Sequence, residues 1–374
     1  MATTVTKSIG SAGGRDYSTV QAWEDAITAD LVAADEAWVG ECYNDSEFAV
    51  AGTVVNIAGE TTDATHTITL TTGTGQSFRD NANAQTNALR YNQSNGVGLR
   101  GTANYSNTVL VSANFVSLIG LQVQKGDAAG GGQRAISAGG TNFAVRYCIV
   151  ECVGGYCITC GNINLTNCLV VQLKAGSSGL NTSGADASFV CVNNTIVMPS
   201  NLAAGGSWPI AIGYPSGTRN VKNCAMFGFN SVPTSGLSYT TCYTNVASPP
   251  TGCTTVAYDT STGSGFQNIT SATRDFRIKS GSAMLDVGTT DTTNAANDIV
   301  GTARPSGVGY DIGCWEFIQI PSRHIRLFEG FRVKVNSGRL MIFQKMALAI
   351  PSLAPSLRAL FRRWPLRGAI PVRG

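Results

Sequence analysis

The chain has 374 residues, of which 43% are hydrophobic and 13% charged, about half the usual ~25% charged of a soluble domain. Gly (43 residues), Thr, Ser and Asn fill that gap, which disfavours long helices and points to short strands joined by tight turns. The net charge of +3 hides a partition: residues 321–374 hold eleven Lys/Arg against one acid, Glu329, for +10, while residues 1–320 hold 15 Lys/Arg against 22 Asp/Glu, for −7. Two parts with different surroundings are expected.

Residues 1–50 read as an entry cap. Val5–Ile9 is a strand, Gly10 to Asp16 a turn cluster, and Ser18 opens a helix with Val20, Trp23, Ala26 and Ile27 on one face. Trp38–Tyr43 reads as the first strand beyond the cap. Thr65–Thr71 alternates with period two, as a half-buried strand does. Phe78 to Gly98 is polar and Asn-rich, and is expected as a long loop thrown out from one corner.

A repeated phrase follows: Tyr147-Cys148-Ile149-Val150, Asn167-Cys168-Leu169-Val170, Asn194-Thr195-Ile196-Val197, Asn223-Cys224-Ala225-Met226 and Thr241-Cys242-Tyr243. Such irregular steps around a β-rich phrase mark a coiled solenoid, in which each repeat buries its apolar side only when its neighbours stack on it. Asn before the second apolar run tolerates the left-handed backbone of a sharp bend, and its amide is placed to ladder with the next coil. Most of the eleven Cys fall inside these phrases and read as small buried residues, reduced and stacked rung on rung. Cys157-Ile-Thr-Cys160 has CxxC spacing but no second pair or His set to make a zinc site. Met1 to Ser8 has no apolar leader core, so export by the general secretory route is not expected.

Beyond residue 317 the pattern changes. His324–Phe328, Phe331–Val335 and Arg339–Phe343 alternate apolar and basic residues around turns and read as a small β-meander. Met346–Ile350 is far short of the ~20 apolar residues that cross a bilayer. Ser356 is placed to cap a short amphipathic helix with Leu357, Leu360, Phe361 and Trp364 on one side and Arg358, Arg362 and Arg363 on the other. Arg323, Arg326, Phe328, Arg332, Lys334, Arg339, Phe361, Arg362, Arg363 and Trp364 are the expected partner-docking residues, since Arg and aromatics concentrate at interfaces.

The rungs, together with Asp16-Tyr-Ser-Thr-Val-Gln-Ala-Trp23, Asp275-Phe-Arg-Ile-Lys-Ser-Gly-Ser-Ala-Met-Leu-Asp-Val-Gly288, Gly301-Thr-Ala-Arg-Pro305 and Tyr310-Asp-Ile-Gly-Cys-Trp-Glu316, resemble the right-handed parallel β-helix, or pectate-lyase-like, superfamily. The resemblance implies an all-β fold: a cap with a helix (1–50), a parallel β-helix (51–317) and a basic docking tail of meander and helix (318–374). It is specific for fold and says little of function, since β-helices host lyases, hydrolases, adhesins and phage spikes.

Three functional readings remain open. The calcium-binding Asp cluster of pectate lyases has no counterpart in Asp127, Glu151 and Asp186. Of the polygalacturonase set only Arg277-Ile278-Lys279 is matched, inside the closing phrase. Asp275, Asp286, Asp298 and Asp311 are the carboxylates available for two-carboxylate glycosidase chemistry, but Asp286 and Asp311 suit turns, where they would accept backbone N–H bonds. No catalytic residue, metal site or cofactor is therefore assigned. A rod with an acidic body and a basic tail resembles bacteriophage virion β-helix proteins (capsid decoration, head fibre or tail spike). That resemblance implies a virion location after synthesis in the host cytoplasm, capsid or tail proteins as partners and a homo-oligomer such as a trimer. The alternatives are a polysaccharide depolymerase and a glycan-binding adhesin that uses Trp208 and Tyr214, which flank a loop between rungs.

Overall fold

One left-handed residue per coil sets the architecture. Tyr147, Asn167, Asn193, Asn223 and Thr241 have φ between 51° and 55°, a region that Asn enters more readily than other side chains. Each turns the chain from a strand of one sheet into a strand of the next. The expected amide ladder differs in detail. Among the described residues, Asn167 and Asn193 find no side-chain hydrogen-bond partner. The ladder bond comes from the next residue, Asn194, whose Oδ1 accepts the Cys168 N–H at 2.8 Å while Nδ2 donates to the Leu165 carbonyl at 2.8 Å.

The computed structural model describes residues 1–126, 132–182, 189–200, 202, 207–213, 219–293, 296–319, 324–328, 331–336 and 339–344. The chain divides into two compact units, Met1–Phe317 and Ile318–Gly374. Among the described residues, the first unit winds through three sheets of parallel strands. Sheet I has nine strands, from Thr3–Ile9 and Glu36–Cys42 to Ser238–Thr240. Sheet II has nine, from Phe48–Val50 to Cys253–Thr255, and sheet III has six, from Val55–Ile57 to Ile210–Ile212. Successive strands of a sheet come from successive coils, as where Ala144–Arg146 pairs with Ile163–Thr166 and that strand with Phe189–Val192. The body is therefore a parallel β-helix. Its interior is one continuous core that includes Val145, Val150, Ile158, Leu165, Val170, Ile196 and Met226.

All eleven Cys are free thiols, ten of them buried and Cys253 half-buried. Cys148 and Cys168 stack, with the Cys148 N–H on the Cys168 sulfur at 3.4 Å, and Cys191 lies 3.7 Å from Cys224, sulfur to sulfur. The hydrogen bond with Cys242, then burial, push the Cys253 thiol up, so even this one reacts slowly. A maleimide is expected to add at most one label to the native chain, at Cys253, and eleven after denaturation. Peptide mapping of the labelled protein checks this.

The cap helix starts one residue later than expected and is short. Thr19, not Ser18, is the N-cap, its Oγ1 accepting the Ala22 N–H at 3.1 Å, and the helix spans only Val20–Glu24. Ala26 and Ile27 fall in the following turn, and a second short helix, Leu31–Ala34, starts at an Asp30 N-cap. Trp23 is fully buried and plugs the core. Gln21 and Glu24 also close the open edge of sheet III. Gln21 Oε1 accepts the Asn56 N–H at 2.8 Å and Glu24 Oε1 accepts the Ala58 N–H at 3.1 Å, which keeps that edge from pairing with another chain.

Burial, reinforced by the neighbouring Glu60 carboxyl, raises Glu24 from 4.5 to about 7 against the opposing pull of the Ala58 N–H. Because its folded-state pKa is raised, its contribution to stability is complete below pH 4.5 and is lost as pH rises through about 7. Glu24→Gln should make the thermal midpoint less pH-dependent between pH 5 and 8 and should exceed the parent at pH 8.

The middle of sheet II, from Ile149–Cys152 to Ala225–Phe227, is buried on both faces. Ile149, Leu169, Val171, Val197, Ala225 and Phe227 alternate with the interior residues and point outward into a second core, formed with Phe266, Phe276, Ile278, Met284, Ile299, Ile312 and Trp315. The closing phrase thus lies along the flank of the helix. Ring contacts pin it there: Phe227 stacks on Tyr258 at 5.5 Å and meets Phe266 edge-on at 5.7 Å. Burying each such large side chain is worth about 1.5–3 kcal/mol. The segment expected as a protruding polar loop, 78–98, instead packs against this layer through buried Phe78 and Leu89. Its few apolar residues find the exposed end of the second core, and Gln85 and Arg90 bond to Thr302 and the Ala272 carbonyl at 2.7 and 3.0 Å.

In the second unit, His324–Phe328, Phe331–Asn336 and Arg339–Gln344 form an antiparallel three-stranded sheet. Its register sets Arg326 opposite Arg332 and His324 opposite Lys334. The helix expected from Ser356 lies outside the described residues.

Candidate functional site

Among the described residues, the carboxylates weighed for catalysis are engaged in structural bonds. Asp275 accepts the Leu89 N–H at 3.0 Å and holds the Arg277 guanidinium, with Nη2 at 2.6 Å. Arg277 also donates to the Gln85 carbonyl at 2.8 Å, so the Arg-Ile-Lys phrase ties segment 78–98 to the closing layer. Glu151, fully buried on the outer side of sheet II, pairs with Arg274 through both carboxylate oxygens, with Nε at 3.0 Å. It also accepts the Tyr91 N–H at 3.0 Å. Asp127 and Asp186 lie outside the described residues.

A closed polar knot accounts for the rest of the closing phrase. Arg304, Glu316, Asp298 and Asp311 are all buried. Arg304 Nη1 donates to Glu316 Oε2 and to the Asp311 carbonyl, each at 3.0 Å, and Nη2 to the Gly313 carbonyl at 2.7 Å. Asp298 accepts the N–H groups of Val300, Thr302 and Glu316 at 3.0, 2.7 and 3.0 Å. Asp311 accepts those of Asp286 and Phe317 at 2.8 and 2.6 Å, and Asp286 that of Gly309 at 3.1 Å. Burial, with the nearby Glu316 charge, pushes Asp311 up to about 7, and burial raises Asp298 and Glu316 as well. Perturbed carboxyls of this kind also occur in catalytic sites, but these are spent on backbone N–H groups and on Arg304.

His66 is held at both ring nitrogens, by Asp63 at 2.8 Å and Asp35 at 3.1 Å. The Asp35 and Asp63 hydrogen bonds raise its pKa. Neither nitrogen is left to act as a base. Among the described residues no group of three His, Cys, Asp or Glu is suited to a metal ion, and no helix is long and apolar enough to cross a membrane.

The aromatic residues lie at a different place, the corner between sheets II and III. Trp208 is 43% exposed just before the strand Ile210–Ile212; Tyr214 lies outside the described residues. Extending the sheet III register back two residues aligns Asn107, Arg134, Tyr156, Ser178 and Trp208 on five successive coils. The Trp208 N–H donates to Ser178 Oγ at 3.3 Å, and the Gly179 N–H to the Trp208 carbonyl at 3.2 Å. Tyr156, Arg134 and Asn107 are half-buried, and Ser178 is buried. Arg134 Nε reaches Thr159 Oγ1, on the outer side of sheet III, at 2.7 Å. Tyr156 and Arg134 were not marked by the sequence, because only the strand register brings residues some twenty positions apart into one row.

Of the expected docking residues, Arg326, Phe328, Arg332, Lys334 and Arg339 occupy the three strands of the second unit. Arg323, Phe361, Arg362, Arg363 and Trp364 lie outside the described residues.

No family model and no curated protein matches the chain. Among solved structures it is similar to the crystal structure of the pectate lyase Pel9A, with a TM-score of 0.36 and 11% sequence identity over 84% of this chain and 97% of that one.

Proposed function

We propose that this chain is a structural component of a bacteriophage particle, a capsid decoration, head fibre or tail spike, whose β-helix body is fastened through its basic C-terminal segment. The carrying observation is the charge partition, +10 over residues 321–374 against −7 over the remainder. The strand register sharpens it. Like charges directly opposite across a sheet are unfavourable, so pairing Arg326 with Arg332 favours an anionic counterpart on a partner protein. The body, by contrast, spends its buried carboxylates on its own backbone and its own arginines, which supports a scaffold over a depolymerase. Copies of the chain would assemble as a homo-oligomer on the particle.

The test is purification of particles carrying the full chain or a version ending at Phe317. The reading expects stoichiometric recovery of the full chain with the particles. It expects no recovery of the truncated chain, whose melting midpoint should match that of the full-length body. Equal recovery of both would overturn the reading.

Glycan binding without turnover is a second reading. The exposure of Trp208 beside Ser178 favours it, since an exposed large aromatic is worth explaining where a scattered aliphatic is not.

A further inference from the structure

We propose that Cys242 and Cys253 form a reversible disulfide when a hydroperoxide meets the protein, and that this bond clamps the last strand of sheet II to the coil. The inference is independent of both functional readings.

The strand register supplies the pair. Cys242 and Cys253 stand directly opposite each other on the parallel strands Cys242–Thr244 and Cys253–Thr255. Neighbouring strands lie about 4.8 Å apart, within the roughly 4.4–6.8 Å that a disulfide needs between its Cα atoms. Residues in register project to the same face, and the two thiols already share a hydrogen bond. They also end a row. Followed back through sheet II, the same register position holds Cys224, Asn194, Cys168 and Cys148.

Access selects this pair from the eleven thiols. Ten are buried and Cys253 is half-buried, so a peroxide meets the Cys253 sulfur first. The hydrogen bond with Cys242, then burial, push that thiol up. The first step is therefore slow, but the burial of the other ten makes it selective. The Cys253 thiolate attacks one peroxide oxygen and the O–O bond breaks. Cys253 becomes a sulfenic acid, and the other oxygen leaves as an alcohol or water, taking the proton that the thiol gave up. The Cys242 sulfur then attacks the Cys253 sulfur. An S–S bond forms, the S–O bond breaks, and the hydroxide leaves with the Cys242 proton as water. The two thiols lose two electrons and the peroxide gains them.

The consequence is mechanical. Cys253–Thr255 is an edge strand of sheet II, three residues long, with Thr254 and Thr255 exposed. The Cys242 N–H donates to the Gly252 carbonyl and the Val256 N–H to the Thr244 carbonyl, each at 2.9 Å. A short edge strand opens more readily than the middle of a sheet, and a covalent link beside these two bonds restricts that opening.

The test is treatment of the full chain with hydrogen peroxide, alkylation of the remaining thiols after denaturation, and peptide mapping without reduction. The expected result is loss of two of the eleven alkylable thiols, one linked peptide pair holding Cys242 and Cys253, and return of all eleven on adding a dithiol reductant. Amide exchange at 253–256 should slow about tenfold in the linked protein. Cys253→Ser, at a half-buried edge position, should fold like the parent and form no disulfide. Cys242→Ala should stop at the sulfenic acid, which dimedone traps at Cys253. A disulfide joining two chains through Cys253, a link to any other cysteine, or survival of all eleven thiols would overturn the proposal. Amide exchange unchanged by the link would overturn the clamp.

Discussion

Arg304→Met is expected to destabilise the body by about 3–5 kcal/mol at pH 8, the usual cost of removing one partner of a buried ion pair. Methionine roughly keeps the volume, so little of the loss would come from a cavity. What is lost is the cation between Glu316 and the Asp311 carbonyl, in a knot where Asp298, Asp311 and Glu316 are all buried. The loss should depend on pH, with a definite sign. Asp311 is raised from 3.8 to about 7, with Arg304 restraining the rise. Its stabilisation is complete below pH 3.8 and is lost as pH rises through about 7. Without Arg304 the three acids hold their protons to still higher pH. At pH 5, below the value of about 7 to which Asp311 is raised, that carboxyl is then largely neutral, and the loss in the variant should be smaller than at pH 8. Urea unfolding at pH 5 and pH 8 measures both numbers; equal losses at the two pH values would contradict this account.

Glu151→Ala is expected to cost about 3 kcal/mol or more, by the same reasoning about a broken buried pair. Glu151 is fully buried, and the side chain of its partner Arg274 is only 13% exposed. The substitution strands the Arg274 guanidinium and also the Tyr91 N–H that Glu151 accepts. Those two bonds join both covering segments, 78–98 and the layer beyond residue 256, to sheet II. The damage should therefore be local. The outward residues Ile149, Leu169, Val171 and Phe227 would become exposed while the coil interior stays intact. Binding of a hydrophobic dye below the main unfolding transition, and faster amide exchange in 266–278 than in 163–172, would report it. Glu151→Gln, which keeps one acceptor oxygen, should lose clearly less. Global unfolding without a prior dye-binding step would argue that the layer and the coil are one cooperative unit.

The solenoid was legible because its signals are local. Asn167 and Asn223 precede the second apolar strand of their coils, and both take the left-handed backbone that a bend requires. Alternation in Ile163–Thr166 and Phe189–Val192 marks which residues enter the core. The meander beyond residue 323 was readable for the same reason, since its turns and its period of two lie within one short stretch. Segment 78–98 misled because composition counts polar residues and overlooks the few apolar ones, Phe78 and Leu89, that decide where it packs. Nor does the doubly buried sheet II reveal its second face in sequence. A run such as Leu169-Val-Val-Gln172 reads as buried, and nothing local says that the outer half is covered by residues a hundred positions later.

Bend residues and strand periodicity act through the backbone of a few neighbours, so the residue order alone determined that this chain coils and where each coil turns. Which carboxylates are neutralised within, which rings share an edge of the coil, and which segment shelters sheet II were decided only in three dimensions. The separations run from 12 positions between Arg304 and Glu316 to 123 between Glu151 and Arg274, and the packing of the whole stack with its covering layer, strand registry included, is what brings such residues together.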